Sequence, residues 1–331
     1  MLFQFVYEAM QKAKYFFLLL FFLPVLLFAQ RIDNTAAFRN VSGGKYFRLH
    51  YDNDFWGKTD YYYTQGYQFE IVNSVFSKSP ASKLLIRFKK SMVKYGLSFE
   101  HYGFTPTSIK SNEILNGDRP FAGVIMLKSF SISVDSIKKQ RLTTTLSTGM
   151  IGPAAFAGKM QATIHRWTGD QNPQGWQNQI RNDVIINYEL THEKQLLYLP
   201  NIVSIHTKVL ARIGTLSDKA QTGFTFTLGR FHSPFSVPKD ENLSDFQIYA
   251  YSQPLVNFIG YDASMQGGIF DRNSPYVLKS DEINRITFQN NFGIVASFWK
   301  LHAEYYRTFL TKEFKSGKQH LWGGVKIGIL F

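Results

Sequence analysis

The chain has 331 residues and no cysteine, which excludes a disulfide framework, a thiolate zinc site and a cysteine nucleophile. Aromatic residues reach 16% and charged residues only 18%, so neither a disordered chain nor a coiled coil fits. Lys+Arg number 37 against 24 Asp+Glu, a formal charge of +13, and a mean hydropathy of −0.17 excludes a bundle of membrane-spanning helices.

The N-terminus has the order of a secretory signal. Lys12 and Lys14 lead into a 14-residue apolar stretch, Tyr15 to Phe28, and Ala29 offers a small residue for cleavage before Gln30. The stretch falls short of the roughly 20 apolar residues of a membrane span, and Pro24 interrupts it. A retained anchor is the competing reading. Residues 1–29 carry Glu8, Lys12 and Lys14, net +1, so the remaining 30–331 keep 13 − 1 = +12. No linker, repeat or low-complexity tract divides residues 30–331, which are expected to form one domain.

Beyond the signal the dominant pattern is alternation. Phe130, Ile132 and Val134 interleave with serines. Val184, Ile186, Tyr188 and Leu190 interleave with Asp183, Asn187 and Glu189. Val325, Ile327, Ile329 and Phe331 alternate to the carboxyl terminus. A period of two puts the two sets on opposite faces of a strand. A last strand ending in Phe looks like the assembly signal of bacterial outer-membrane barrels. A secreted β-sandwich also alternates, with shorter strands. On a template of strands of about 9–11 residues, the chain holds about twelve candidates: 45–52, 64–75, 92–102, 121–134, 141–150, 181–192, 202–213, 221–230, 246–264, 284–297, 298–310 and 320–331. The even number suits a single-chain transmembrane antiparallel β-barrel, expected to be monomeric.

Strand parity then places the connections. With the N-terminus in the periplasm, 53–63, 103–120, 151–180, 214–220, 265–283 and 311–319 lie at the outer rim. The periplasmic set is 76–91, 135–140, 193–201, 231–245 and 297–299, of which 76–91 and 231–245 are long for such turns.

Three polar clusters fall on the outer rim. Tyr51-Asp52-Asn53-Asp54-Phe55 closes the first strand and Asp60 to Gly66 opens the second, so Asn53 and Thr64 face each other across a hairpin mouth. The carboxylates can hold a hard cation through oxygen, although a solvated turn with an aromatic girdle from Phe55, Trp56 and Tyr61–Tyr63 explains the same residues. Asn116 to Gly123 contains Arg119, which suits a phosphate or a loop carboxylate, pairing being the commoner role. In 151–180, Gly152-Pro153 precedes a predicted short helix, Ala154 to Trp167, that puts Gln161 and His165 on one face at i,i+4. A neutral imidazole there can serve as general base; a structural histidine is the competitor. The histidines within strands are expected to face the lumen. No G-x-S-x-G elbow, P-loop or H-E-x-x-H is present. Nucleic-acid binding, which a basic aromatic chain can support, is opposed by the signal and the lipid-facing alternation. The positive charge suits anionic outer-leaflet lipid instead.

Together the clusters resemble the outer-membrane lipid A 3′-O-deacylase family. The matching residues are Asn53-Asp54, Thr59 to Gly66, GDRPFAG at 117–123, IGP at 151–153, Gln161-x-x-x-His165-Arg166, Gly169 and PQGW-x-NQ at 173–179. The resemblance spans roughly 45–331 and is most specific in the first half. It implies a twelve-stranded barrel in the bacterial outer membrane, with its site toward the outer leaflet. It also implies a calcium-dependent esterase that removes the 3′-linked acyloxyacyl group of lipid A in lipopolysaccharide. By position, His165 activates water, Asp54 ligates calcium beside Asn53, and Thr64 and Gln161 hold the histidine, the water or the substrate. Lys110 aligns loosely with a family lysine, and Arg119 and Arg166 are further candidates for substrate contact. The family commonly carries an acid a few residues after the histidine that helps bind calcium. Gln171 stands there, so either Asp170 serves by a shift of one or the site has one fewer negative ligand. A phospholipase-like esterase and a non-catalytic barrel, pore or degenerate, remain the alternatives.

Overall fold

The computed structural model describes residues 44–54, 61–236 and 246–331. The expected signal peptide lies outside these residues, as do Phe55, Trp56, Thr59 and Asp60 of the first hairpin. Twelve antiparallel strands close on themselves. They are β1 (Tyr46–Asn53), β2 (Tyr62–Val72), β3 (Met92–Thr105), β4 (Ala122–Asp135), β5 (Gln140–Ile151) and β6 (Asp183–Leu199), followed by β7 (Val203–Gly214), β8 (Ser217–Arg230), β9 (Gln247–Asp262), β10 (Ile286–Phe298), β11 (Leu301–Leu310) and β12 (His320–Leu330). Closure is made by β1 on β12, from Tyr46 opposite Leu330 to Asn53 opposite Gly323. Every strand lies beside its sequence neighbours, so each backbone ladder is satisfied without an exposed edge.

The period-two reading assigns the faces correctly. Phe47, Leu49, Phe69, Phe99, Ile327 and Ile329 are exposed on the outer wall. Alternate residues point inward and are polar. Arg48 pairs with Glu70 (2.8 Å), Arg141 with Glu193 (2.7 Å), Lys326 with Glu304 (2.9 Å), and Lys128 with Glu100. Apolar outside and charged inside is the inverse of a soluble sandwich, and it is stable only when the outer wall meets hydrocarbon.

Three boundaries depart from expectation for one reason. β8 begins at Ser217 rather than 221, across a register shift between Asp218 and Lys219. β6 runs to Leu199 rather than 192, across a register shift between Gln195 and Leu197. β2 begins at Tyr62, two residues before the expected start, across a shift between Tyr63 and Gln65. A bulge flips the alternation mid-strand, so a strict period-two count stops at it. Of the strand histidines, His50, His206, His302 and His320 face inward as expected, but His192, in phase with the exposed Val184 and Ile186, and His101 do not. His101 sits opposite Tyr67, two residues from the exposed Phe99, and therefore on the outer wall.

Candidate active site on the outer wall

The end that carries 152–182, 106–121 and 263–285 has the longer connections and is the extracellular end. From 152–182 rises α1 (Ala157–Thr168), preceded by a 3₁₀ turn at Pro153–Ala155. The expected helix is present, shifted three residues at its start because the Gly152-Pro153 turn consumes Ala154 and Ala155. It ends at Gly169, whose φ of 79° is the left-handed cap that glycine accepts without strain.

The helix lies against the outside of the wall, not over the lumen. A Cβ at Gly123, on the outward face of β4, would come 2.8 Å from the Ala157 Cβ. Only glycine lets helix and sheet approach this closely. The buried His101 joins Nε2 to the Ala155 carbonyl oxygen (2.7 Å), and its ring stacks on Phe156 at 4.9 Å between centroids. The helix start is thus fastened to β3.

One buried amide then ties three segments. Gln161 donates Nε2–H to Thr64 Oγ1 (2.9 Å), while its Oε1 accepts from Trp176 Nε1 (2.7 Å). Asn53 donates Nδ2–H to the Thr64 carbonyl oxygen (2.5 Å). Asn53 and Thr64 thus meet across the hairpin mouth, as the strand pairing predicts, and Gln161 joins them. His165 follows one helical turn beyond Gln161, about 6 Å along the same stripe. It is partly exposed, with Nδ1 2.6 Å from the Gln171 carbonyl oxygen.

The remaining predicted residues divide. Asp54 is buried at the end of β1. Burial raises the Tyr61 phenol above its ordinary value, and the neighbouring Asp54 carboxylate adds to the rise. Asp170 caps its own helix end: its N–H meets the His165 carbonyl (2.9 Å) and its Oδ2 accepts from Thr168 Oγ1 (2.6 Å). Arg166 is exposed, with Nη2 donating to Thr163 Oγ1 (3.1 Å). Lys110 is exposed on the 106–121 loop, which accepts from Gln174 N at Ile109 O (2.8 Å) and so borders the same segment as Trp176.

Arg119 stands apart. It is 1% exposed, ion-paired to Glu313, donates Nη2–H to Ser264 Oγ (2.8 Å), and lies 3.8 Å over the Phe104 ring. Burial pushes the guanidinium down to about 10, against the opposing pull of Asp262 and Asp118, so it stays charged at neutral pH. Of its two expected roles, the loop-carboxylate pair is the one the geometry displays. Tyr276 OH meets the Asp118 carbonyl (2.9 Å) and accepts from Gly117 N (2.7 Å). The GDRP turn thus staples three extracellular loops.

Trp176 and His101 hold the helix in place, and sequence reasoning did not single them out as site residues. The family stretch containing PQGW marks Trp176. Nothing local marks His101, because its role depends on Ala155, 54 residues away in sequence.

A closed barrel with an apolar outer wall and an ion-paired interior is an outer-membrane protein, here with a histidine-bearing helix on its lipid-facing side. A model of the family described as "Outer membrane protein LpxR" matches residues 15–331, and the chain belongs to that family, the outer-membrane lipid A 3′-O-deacylases. Among solved structures, "LpxR from Salmonella typhimurium" is similar in fold, with a TM-score of 0.71 at 15% identity over 86% of this chain and 100% of that one. The β domain of the Bordetella autotransporter BrkA aligns at a TM-score of 0.46 and 8% identity, over 88% of this chain and 100% of that one. No curated protein matches the sequence. The protein is an outer-membrane, lipid A-modifying barrel.

Proposed function

We propose that this chain is a calcium-dependent ester hydrolase that removes the 3′-linked acyloxyacyl group of lipid A, with His165 as general base. The observation that carries this reading is the contact of His165 Nδ1 with the Gln171 carbonyl oxygen at 2.6 Å. A carbonyl only accepts, so Nδ1 holds the proton and Nε2 keeps its lone pair. Nε2 takes a proton from water as the water oxygen attacks the ester carbonyl carbon. When the tetrahedral adduct collapses, the bond from the acyl carbon to the sugar oxygen breaks, and Nε2–H returns the proton to that oxygen. Gln161 fixes the helix register that aims His165, because both ends of its amide are committed to Thr64 and Trp176.

The donor set suits a hard cation. Asp54 offers a carboxylate, and Asn53 stands beside it with its Nδ2–H donated to the Thr64 carbonyl oxygen. Asp170 is the second carboxylate candidate. Gln171 stands where the family carries an acid, and one fewer charged ligand is expected to weaken calcium binding. Bound calcium supplies a fixed positive charge for the oxygen that becomes anionic. Placement on the lipid-facing side supports a substrate that never leaves the leaflet, and the exposed Lys110 and Arg166 suit its phosphates. The lumen favours no pore: it is crossed by ion pairs, and two of its cavities, one bordered by Tyr102 and Asp262 and the other by Glu100 and Asn187, hold about 30 Å³ each. The test is ester hydrolysis by His165→Ala in a correctly inserted barrel; retained hydrolysis would remove His165 from the mechanism.

A further inference from the structure

The opposite end of the barrel carries a feature unrelated to the deacylase site. The connection 73–91, between β2 and β3, is too long for a periplasmic turn, and it does not hang free. Asn73 caps a 3₁₀ turn at Ser74–Lys78 by accepting from Val75 N (3.1 Å), and Ser79 caps a second at Pro80–Leu84 by accepting from Ser82 N (3.2 Å). From there the chain runs across the outside of the wall, over β4, β5 and β6.

The wall is built to receive it. Ser131 and Ser133 share the outward phase of the exposed Leu127, yet both are fully buried, as is Thr144 on β5. Phe88 N donates to Ser133 Oγ (3.0 Å), and Ser91 Oγ lies 2.6 Å from the same hydroxyl. Thr144 Oγ1 donates to the Ile86 carbonyl (2.6 Å), Tyr188 OH donates to the Leu84 carbonyl (2.7 Å), and Arg87 reaches Tyr95 OH. Irregular backbone at membrane depth needs partners of this kind. These hydroxyls explain why an outward face that should be apolar is polar here.

The strap's own outer side is amphipathic. Leu84 and Ile86 are 61% and 54% exposed, pointing away from the wall. Lys78, Lys83, Arg87, Lys89 and Lys90 are all exposed, and residues 73–91 contain no Asp or Glu. The neighbouring β4–β5 turn adds the exposed Ile137, Lys138 and Lys139, with Asp135 closing that turn. Apolar side chains beside a block of long cationic ones are what a bilayer interface selects: the stems enter hydrocarbon and the charges meet headgroups.

We propose that residues 73–91 form an in-plane strap that binds anionic phospholipid of the periplasmic leaflet, with its five cations on the headgroup phosphates. Charge complementarity and lateral position decide the occupant. The strap lies flat on the lipid-facing wall at the end opposite the long loops, where the bilayer presents phospholipid headgroups. Part of the basic excess of the chain thus serves the inner leaflet, not the extracellular rim.

The test uses the full-length protein reconstituted in phosphatidylcholine bilayers containing spin-labelled phosphatidylglycerol or spin-labelled phosphatidylcholine. Electron paramagnetic resonance then gives the relative association constant at the protein surface. The wild type should prefer phosphatidylglycerol, and K78Q/K83Q/K89Q/K90Q should lose most of that preference, falling roughly tenfold. K279Q/K315Q, which removes two exposed cations at the other end, should keep it, and so should wild type in millimolar inorganic phosphate. Heat-modifiable electrophoretic mobility reports that each barrel is folded, so the outcome is independent of the catalytic reading. An undiminished preference in the folded quadruple variant overturns the proposal. So does a preference that follows K279Q/K315Q instead.

Discussion

Replacing Gln161 by leucine should separate the fate of the α1 helix from that of the barrel. The side chain keeps a similar volume but loses both hydrogen bonds of the amide, to Thr64 Oγ1 at 2.9 Å and from Trp176 Nε1 at 2.7 Å. Trp176 is largely buried, so its indole N–H is left without a partner at a cost of about 1–3 kcal/mol. Thr64 is half-buried and reaches water, so its loss is nearer the net value of one hydrogen bond, about 1 kcal/mol. Docking of α1 then weakens by about 2–4 kcal/mol, which is a shift of roughly 30-fold or more in the docking equilibrium. The strand ladders are untouched, so the thermal transition of the barrel should stay where it is. We predict faster hydrogen exchange over 157–168 and a fall in kcat with KM little changed, because fewer molecules hold His165 in place. Trp176→Phe should weaken the helix by less, and the double variant should fall short of the sum of the two, since both act on one bond. Exchange and turnover of Gln161→Leu within about twofold of wild type would refute the argument that this amide docks the helix.

Four other outcomes follow from the same geometry. His165→Gln is predicted to lower kcat by about 10²–10⁴ while leaving lipid binding in place, as read by turnover and by co-isolation of lipid A. Arg119→Met leaves the buried Glu313 without its cation and should destabilise the barrel mouth by about 3–5 kcal/mol; adding Glu313→Leu should recover most of it, and denaturant unfolding in detergent measures both. Gly123→Val places side-chain carbon where Ala157 already lies; it should displace the helix and reduce activity with the heat-modifiable mobility of the barrel unchanged. Chelation of calcium is predicted to stop hydrolysis, and Asp54→Asn to raise the calcium required for half-maximal rate. A calcium response identical to wild type would remove Asp54 from the ligand set.

Much of this architecture can be read from the sequence because one physical rule governs it. Lipid outside and polar groups inside impose a period of two, and Phe47, Leu49, Ile327 and Ile329 obey it. The rule fails where the backbone slips, at Thr64 and near Leu196, because a bulge changes the phase without changing composition. It also fails where protein, not lipid, covers the wall. Ser131, Ser133, Thr144 and His101 face outward as polar groups because the strap or the helix supplies their partners. The site was legible where chemistry is local: Gln161 and His165 at i,i+4, and Asn53 across from Thr64. Arg119 shows the limit. Its charge reads as an ion pair or a phosphate contact, and its carboxylate partner, Glu313, comes from a distant loop that no local pattern marks.

The proposed function rests on His165, held on the outside of the wall, as the general base for hydrolysis of a lipid A ester. Mass spectrometry of lipid A from cells producing the wild-type chain, beside cells producing His165→Ala at equal outer-membrane levels, tests it most directly. The account predicts loss of the 3′-linked acyloxyacyl mass in the wild type alone, with calcium present. An unchanged lipid A spectrum in both, or the same loss in both, would contradict it.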